Sequence, residues 1–149
     1  MYQNIICAID GSDLSTKALK HALALSAQTG GKVTVVTVTE PSVIVSPGAE
    51  MMMVDTSAII ADLDKAKAES AKATLAEAET LAASSGITVT SVHIANSTAA
   101  DGILQAAKDA KADLLVMGSH GRRGLGRLLL GSQAAEVLSH SDLPVLIVK

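Results

Sequence analysis

Five brief aliphatic runs, NIICAI (4–9), KVTVVTV (32–38), ITVTSVHI (87–94), DLLVMG (113–118) and PVLIVK (144–149), recur along the chain with longer mixed stretches between them. Runs rich in β-branched residues and bounded by Gly, Asp or Pro read as strands. The intervening stretches carry helix signals. Ser12 and Asp13 stand where they can cap LSTKALKHALALSAQT (14–29), which stops at Gly30 and Gly31. Ser57 can cap the alanine-rich segment 58–85, where Ala71, Leu75, Ala78 and Ala82 share one face and Gly86 follows the end. Thr98 and Asp101 have capping-box spacing ahead of GILQAAKDAKA (102–112), and SQAAEVLSHS (132–141) supplies a fourth helix.

This alternation predicts the order βαβαβαβαβ in a single domain, 1–149. The fold class is α/β, a doubly wound five-stranded parallel sheet with helices on both faces. Right-handed crossovers leave few topologies, and of these the open arrangement with strand order 3-2-1-4-5 is expected, with the winding reversing between strands 1 and 4. Ligands of such sheets bind at that reversal, beyond the carboxyl ends of the strands. Strand 1 ends at Asp10 and Gly11, and strand 4 at Gly118. One stretch fits neither period: EPSVIVSPGAEMMMVDTS (40–57) holds two of the three prolines and reads as a long loop with an apolar patch. Met51, Met52 and Met53 are expected to fill a gap there, against the long helix or a partner subunit.

Composition narrows the chemistry. Of 149 residues 48% are apolar, yet there is no Trp, no Phe and one Tyr, so the core is aliphatic. Stacking platforms for single-stranded nucleic acid are not supported. Twelve Lys and Arg against fifteen Asp and Glu leave a net charge of -3, without the basic footprint of a nucleic-acid binder. Any anion site must therefore be local. Cys7 is the single cysteine, so no intrachain disulfide forms and a reducing cytosol suits the chain. No run approaches the roughly eighteen apolar residues of a membrane span, and MYQNIICAID lacks a basic segment ahead of a long apolar one. A cytoplasmic protein without direct membrane insertion is expected.

Local positive charge does occur. GSHGRRGLGRLLLGSQ (118–133) packs five glycines and three arginines into sixteen residues. Glycine-rich turns expose successive backbone N–H groups, and a helix N-terminus adds oriented donors and the positive end of a dipole. Gly118 and Gly121 flank the turn after strand 4, Gly131 and Ser132 open the last helix, and Arg122, Arg123 and Arg127 stand nearby with guanidinium groups suited to phosphate oxygens. A polyphosphate is the natural guest. Gly126 to Gly131 has Walker A spacing, but Ser132 occupies the lysine position. Gly124 and Gly126 open a dinucleotide fingerprint that fails at Leu129. What fits is G-x2-G-x9-G-[ST], met by Gly118, Gly121, Gly131 and Ser132.

On these residues the chain resembles the universal stress protein family over its whole length: IICAIDGS as first strand and turn, VVTVTEP as second strand, DLLVMGSHGRRGLGRLLLGSQAAEVL as glycine signature, and LPVLIVK as last strand. The resemblance implies an architecture like that of the adenine nucleotide alpha hydrolases. It further implies the ATP-binding branch of the family, with Mg²⁺ accompanying the nucleotide, and a homodimer formed through the C-terminal strand. It places Asp10 near the ribose and adenine and the Val38 backbone at the adenine. Gly118, His120 and Gly121 would line the ribose and phosphates; Gly131, Ser132 and Gln133 would hold the phosphates. Arg122 and Arg123 join the set as neighbouring cations. The implied role is a nucleotide-responsive sensor or regulator acting on an unidentified protein partner in a stress response. The alternatives are a slow ATP hydrolase and a dimeric interaction module without nucleotide. A kinship with ATP pyrophosphatases is opposed by DGSDLS, which stands where S-G-G-x-D-S belongs.

Each residue also has a plainer reading. His120 is expected to be a contact residue rather than an acid or base, and His21, His93 and His140 to be structural or exposed, since their spacing is not metal-like. Asp10 can cap the first helix. Cys7 reads as a small buried hydrophobe. Lys65, Lys67, Glu69, Lys72, Glu77 and Glu79 read as a solvated face. Gly131→Val is expected to abolish ATP binding, both by occupying phosphate space and by disfavouring the turn, and Ser132→Ala is expected to do less.

Overall fold

Strand β1 (Asn4–Ala8) is apolar from its second residue onward, yet its side chains serve two separate cores. Ile5, Cys7 and the following Ile9 pack on one face, Ile6 and Ala8 on the other, the period of two that a strand buried on both faces requires. The computed structural model describes residues 1–44, 55–122 and 130–149. After β1 come α1 (Asp13–Thr29), β2 (Lys32–Thr39), α2 (Ser57–Ser84), β3 (Val89–Ala95), α3 (Ala99–Asp109), β4 (Leu114–Gly118), α4 (Ser132–His140) and β5 (Val145–Val148). All strand pairings are parallel in the order β3-β2-β1-β4-β5, as expected. Ile5 lies opposite Val33 of β2 and Leu114 of β4, so β1 is the central strand.

The two windings put α1 and α2 on one face and α3 and α4 on the other. Ala18, Leu19, Ala22 and Leu23 of α1 join Leu75, Ala78 and Ala82 of α2 over Ile5, Cys7, Val33, Val35, Leu114 and Val116. Ala100, Ile103, Ala106 and Ala107 of α3, with Ala134 and Val137 of α4, cover Ile6, Val36, Leu115 and Met117. The alanine stripes bring the helices close to the sheet. At Gly102 the approach is so tight that a Cβ would lie 2.7 and 2.8 Å from the two Cγ atoms of Val38.

Local signals set most element ends, with three departures. Ser12 Oγ accepts from Ser15 N at 3.2 Å as predicted, and Thr98 Oγ1 accepts from Asp101 N at 3.2 Å. The Asp101 carboxylate takes the Thr98 hydroxyl at 2.8 Å, so the reciprocal bond of a capping box closes through the hydroxyl and not the backbone amide. Ser57 is not a cap: Thr56 occupies that position without a side-chain bond, and Asp55 Oδ1 accepts from Ser57 N at 3.0 Å. At the far end of α2, Gly86 has φ 71° and its amide reaches Ala83 O at 2.9 Å, while Ile87 N donates to Ala82 O at 3.0 Å. These two bonds form a Schellman motif. Because Ile87 is used there, β3 begins at Val89 and not at 87. Residues 40–44 and 55–56 carry neither helix nor strand.

Candidate functional site

The carboxyl ends of β1, β2 and β4 open into a cleft of about 580 Å³ at the reversal of winding, within the usual size range of small-molecule sites. Asp10 enters from the end of β1, and Thr37, Val38, Thr39 and Glu40 from the end of β2. The turn after β4 supplies Gly118, His120, Gly121 and Arg122, and the start of α4 supplies Gly131, Ser132 and Gln133. Every predicted site residue that the structure describes borders this one cleft. Arg123, together with Arg127, Gly124, Gly126 and Met51 to Met53, lies outside the described residues.

The ends of the glycine stretch are fastened by backbone bonds. Ser119 N donates to Val148 O at 2.8 Å, and Gly131 N donates to Ser119 O at 2.7 Å, so the start of α4 sits directly on the β4 turn. A Cβ on Gly131 would lie 3.1 Å from both His120 Cα and Ser119 O. A side chain at 131 therefore runs into the backbone of the turn, in line with the expectation that it would disfavour the turn. Gly131 is also the N-cap of α4 and makes no side-chain cap bond, in contrast to Ser12 and Thr98 on α1 and α3. The first amides of α4 thus have no capping side chain where Ser132, Gln133 and Ala134 border the cleft, the donor arrangement that suits an anion. The Gln133 side chain also braces the site: its Oε1 accepts from Ala100 N at 2.9 Å, tying α4 to the first turn of α3.

Half-buried Asp10 holds both carboxylate oxygens against backbone amides, Oδ1 to Ser12 N and Oδ2 to Arg122 N, each at 2.9 Å. Burial raises its pKa, but hydrogen bonding from Ser12, the Ser15 hydroxyl and the Arg122 amide outweighs that, and the carboxyl titrates below its ordinary value. It is an anion at neutral pH and a poor proton acceptor. His120 Nδ1 has Ser119 Oγ at 3.2 Å, but Ser119 is buried, so the pair does not present a nucleophile to the cleft. Among the described residues no group of three or more His, Cys, Asp and Glu could hold a metal ion.

One wall was not foreseen. Lys67, Ser70, Ala71 and Thr74 of α2 border the cleft, at helical spacings of three and four that continue the buried stripe of Ala71, Leu75 and Ala78. Extending that stripe one turn toward the N-terminus would have found Lys67. It is half-buried and its Nζ donates to Glu40 O at 2.8 Å, so it does not belong to the solvated face, where Lys65, Glu69, Lys72, Glu77 and Glu79 remain exposed. Neighbouring Asp64 accepts from Ser42 N at 3.0 Å, fastening the exit of β2 to α2 a second time. The remaining histidines behave as expected: His21 is exposed, His93 meets Thr39 Oγ1 at 2.8 Å, and exposed His140 meets Glu136 O at 2.9 Å.

The universal stress protein family profile matches residues 1–149. The chain belongs to the universal stress protein family. A universal stress protein of Methanocaldococcus jannaschii is 33% identical over 149 residues, covering 100% of this chain and 83% of the relative. Among solved structures, the universal stress protein UspA from Lactobacillus plantarum shares the fold with a TM-score of 0.83 at 23% identity, covering 99% of this chain and 98% of that one. A universal stress protein in complex with cAMP is 29% identical with a TM-score of 0.72, covering 99% of this chain and 97% of the other. In this universal stress protein Gly118, His120, Gly121 and Arg122 of the glycine signature border the same cleft as Gly131, Ser132 and Gln133. Among its described residues no helix is long and apolar enough to cross a membrane.

Proposed function

We propose that the cleft binds an adenine nucleotide, ATP with Mg²⁺, and that the protein is a cytoplasmic, nucleotide-responsive regulator that works as a homodimer on a protein partner. The observation that carries this reading is the uncapped start of α4 opening into the cleft beside the β4 turn and Arg122. Phosphates seated there would accept from the amides of Ser132 and Gln133 and from the Ser132 hydroxyl. Base and ribose would lie toward Val38, Thr39 and Asp10, along the α2 wall. A relative crystallised with cAMP supports the adenine class. Mg²⁺ would ride on the phosphate oxygens and water, a usual arrangement for this ion that needs few protein ligands. The metal would supply charge neutralisation while Asp10, already bonded to two amides, orients the sugar end.

Turnover is expected to be slow or absent, because the P-loop lysine position holds Ser132 and Asp10, with its pKa lowered, is a poor general base. Dimerisation is assigned to β5, an edge strand whose Val145, Leu146 and Ile147 stay half-exposed. The deciding experiment denatures the purified protein and separates the supernatant by ion exchange, followed by calorimetric titration with ATP and Mg²⁺. An adenine nucleotide in the supernatant, or saturable binding, is the expected result. A folded protein that neither retains nor binds adenine nucleotides overturns the reading.

A further inference from the structure

Asp10 carries two hydrogen bonds of different kinds. The bond from Ser12 N is local and belongs to the turn that starts α1, while the bond from Arg122 N joins positions 112 residues apart. Helix capping needs only the first. The second reaches from the end of β1 to the turn after β4, and the local structure is arranged to allow it. A Cβ on Gly121 would lie 2.6 Å from Asp10 Oδ2, so a side chain there would push the carboxylate off the Arg122 amide. Gly11, at φ 79°, leaves room for the Arg122 guanidinium: a Cβ there would lie 2.6 Å from Nη2 and 3.2 Å from Thr74 Oγ1. Arg122 thus has its amide pinned by Asp10 and its side chain laid back over the β1 turn toward α2.

We propose that Asp10 is a positioning residue: its carboxylate latches the turn at residues 118–122 across the sheet, so that the cleft is shaped before any ligand enters. A carboxylate has roughly four acceptor sites, so it can hold the Ser12 and Arg122 amides at once. Preformed binding geometry raises affinity, because the apparent dissociation constant grows as the competent fraction falls. That consequence rests on the nucleotide reading; the latch itself does not. The other charged or titratable groups around the cleft are His120 on the same turn, Glu40 after β2 and Lys67 on α2.

The test is NMR on the ligand-free protein, comparing wild type with Asp10→Asn. Asparagine keeps one acceptor oxygen and turns a donor toward the other amide, so it can hold Ser12 or Arg122 but not both. The Arg122 amide of the wild type should shift with the titration of a carboxyl group, and the shift should vanish in Asp10→Asn together with about a tenfold loss of hydrogen-exchange protection. Should that variant not fold, Gly121→Ala displaces Oδ2 from the other side and is read the same way. An Arg122 amide that does not titrate and is unchanged in the variant overturns the latch. ATP titration of the same samples separates the two claims. Weaker binding with a disturbed Arg122 amide supports positioning, whereas weaker binding with an undisturbed one makes Asp10 a direct ligand contact and overturns it. If the wild type binds no nucleotide, the ligand-free arm still decides the latch.

Discussion

Gly131→Val and Ser132→Ala, studied side by side, separate a phosphate seat from a glycine that only shapes a loop. At 131 the backbone angles, φ -61° and ψ 152°, are open to any residue, so conformation is not the obstacle. The obstacle is contact: a Cβ meets His120 Cα and Ser119 O at 3.1 Å and His120 Cβ at 3.2 Å, and two of these are backbone atoms that cannot swing aside. Overpacking of this kind costs about 1–3 kcal/mol. If α4 yields, the bond from Gly131 N to Ser119 O is lost as well, roughly 0.5–1.5 kcal/mol more. The valine variant should therefore lose about 1.5–4.5 kcal/mol of stability by urea unfolding, and its nucleotide affinity with it. Ser132 is exposed, and its hydroxyl makes no hydrogen bond among the described residues. Its removal should move stability by less than about 0.5 kcal/mol. A hydroxyl on a phosphate oxygen is worth about 1.5–3 kcal/mol, so affinity for ATP should drop roughly 10- to 150-fold by calorimetric titration. Wild-type affinity in Ser132→Ala would mean that the Ser132 hydroxyl holds no phosphate. A stable Gly131→Val protein that binds normally would refute the packing argument too.

The proposed dimer can be probed through the edge of β5, where Pro144 O and Val148 O accept from backbone amides of β4 and the turn after it, and the two-residue period leaves the polar groups of Val145 and Ile147 pointing outward. Ile147→Pro removes an outward N–H and should yield monomers by light scattering; unchanged dimers would exclude this edge. Gly102→Ala drives a methyl group against Val38, and its packing cost of about 1–3 kcal/mol should exceed the helix-propensity gain of about 1 kcal/mol, lowering the urea midpoint; a higher midpoint contradicts the contact. Asp10, Asp55 and Asp64 all have lowered pKa values, so their contribution to stability is present above the ordinary carboxyl range and disappears as pH falls through the lowered folded values. Asp10→Asn should flatten part of that acid loss, and an unaltered profile would count against it. Burial pushes the Cys7 thiol up to about 12, so alkylation at neutral pH should proceed only through unfolding, and rapid labelling of the native protein would contradict its burial.

The fold was legible because its signals are local and repeat. Each strand run is bounded by turn residues, Ser12 and Thr98 cap as their chemistry dictates, and the reversal between β1 and β4 is among the few arrangements that right-handed crossovers leave. Side-chain partners across the cleft were not legible, since they depend on distances that no periodicity encodes. Lys67 resembles its charged neighbours until the exit of β2 brings Glu40 O within reach, and no sequence pattern pairs the Gln133 side chain with Ala100 N of α3. The glycines illustrate the same difficulty. Gly121 yields to Asp10 Oδ2 and Gly131 to the backbone of 119–120, so packing demands glycine at two positions where a phosphate motif also asks for it. Their presence in the signature therefore speaks for the turn as much as for any ligand. Ser132 differs, because it is exposed at the cleft and its hydroxyl has no hydrogen-bond partner among the described residues. Of the four motif positions, its hydroxyl bears on the ligand with least interference from the fold.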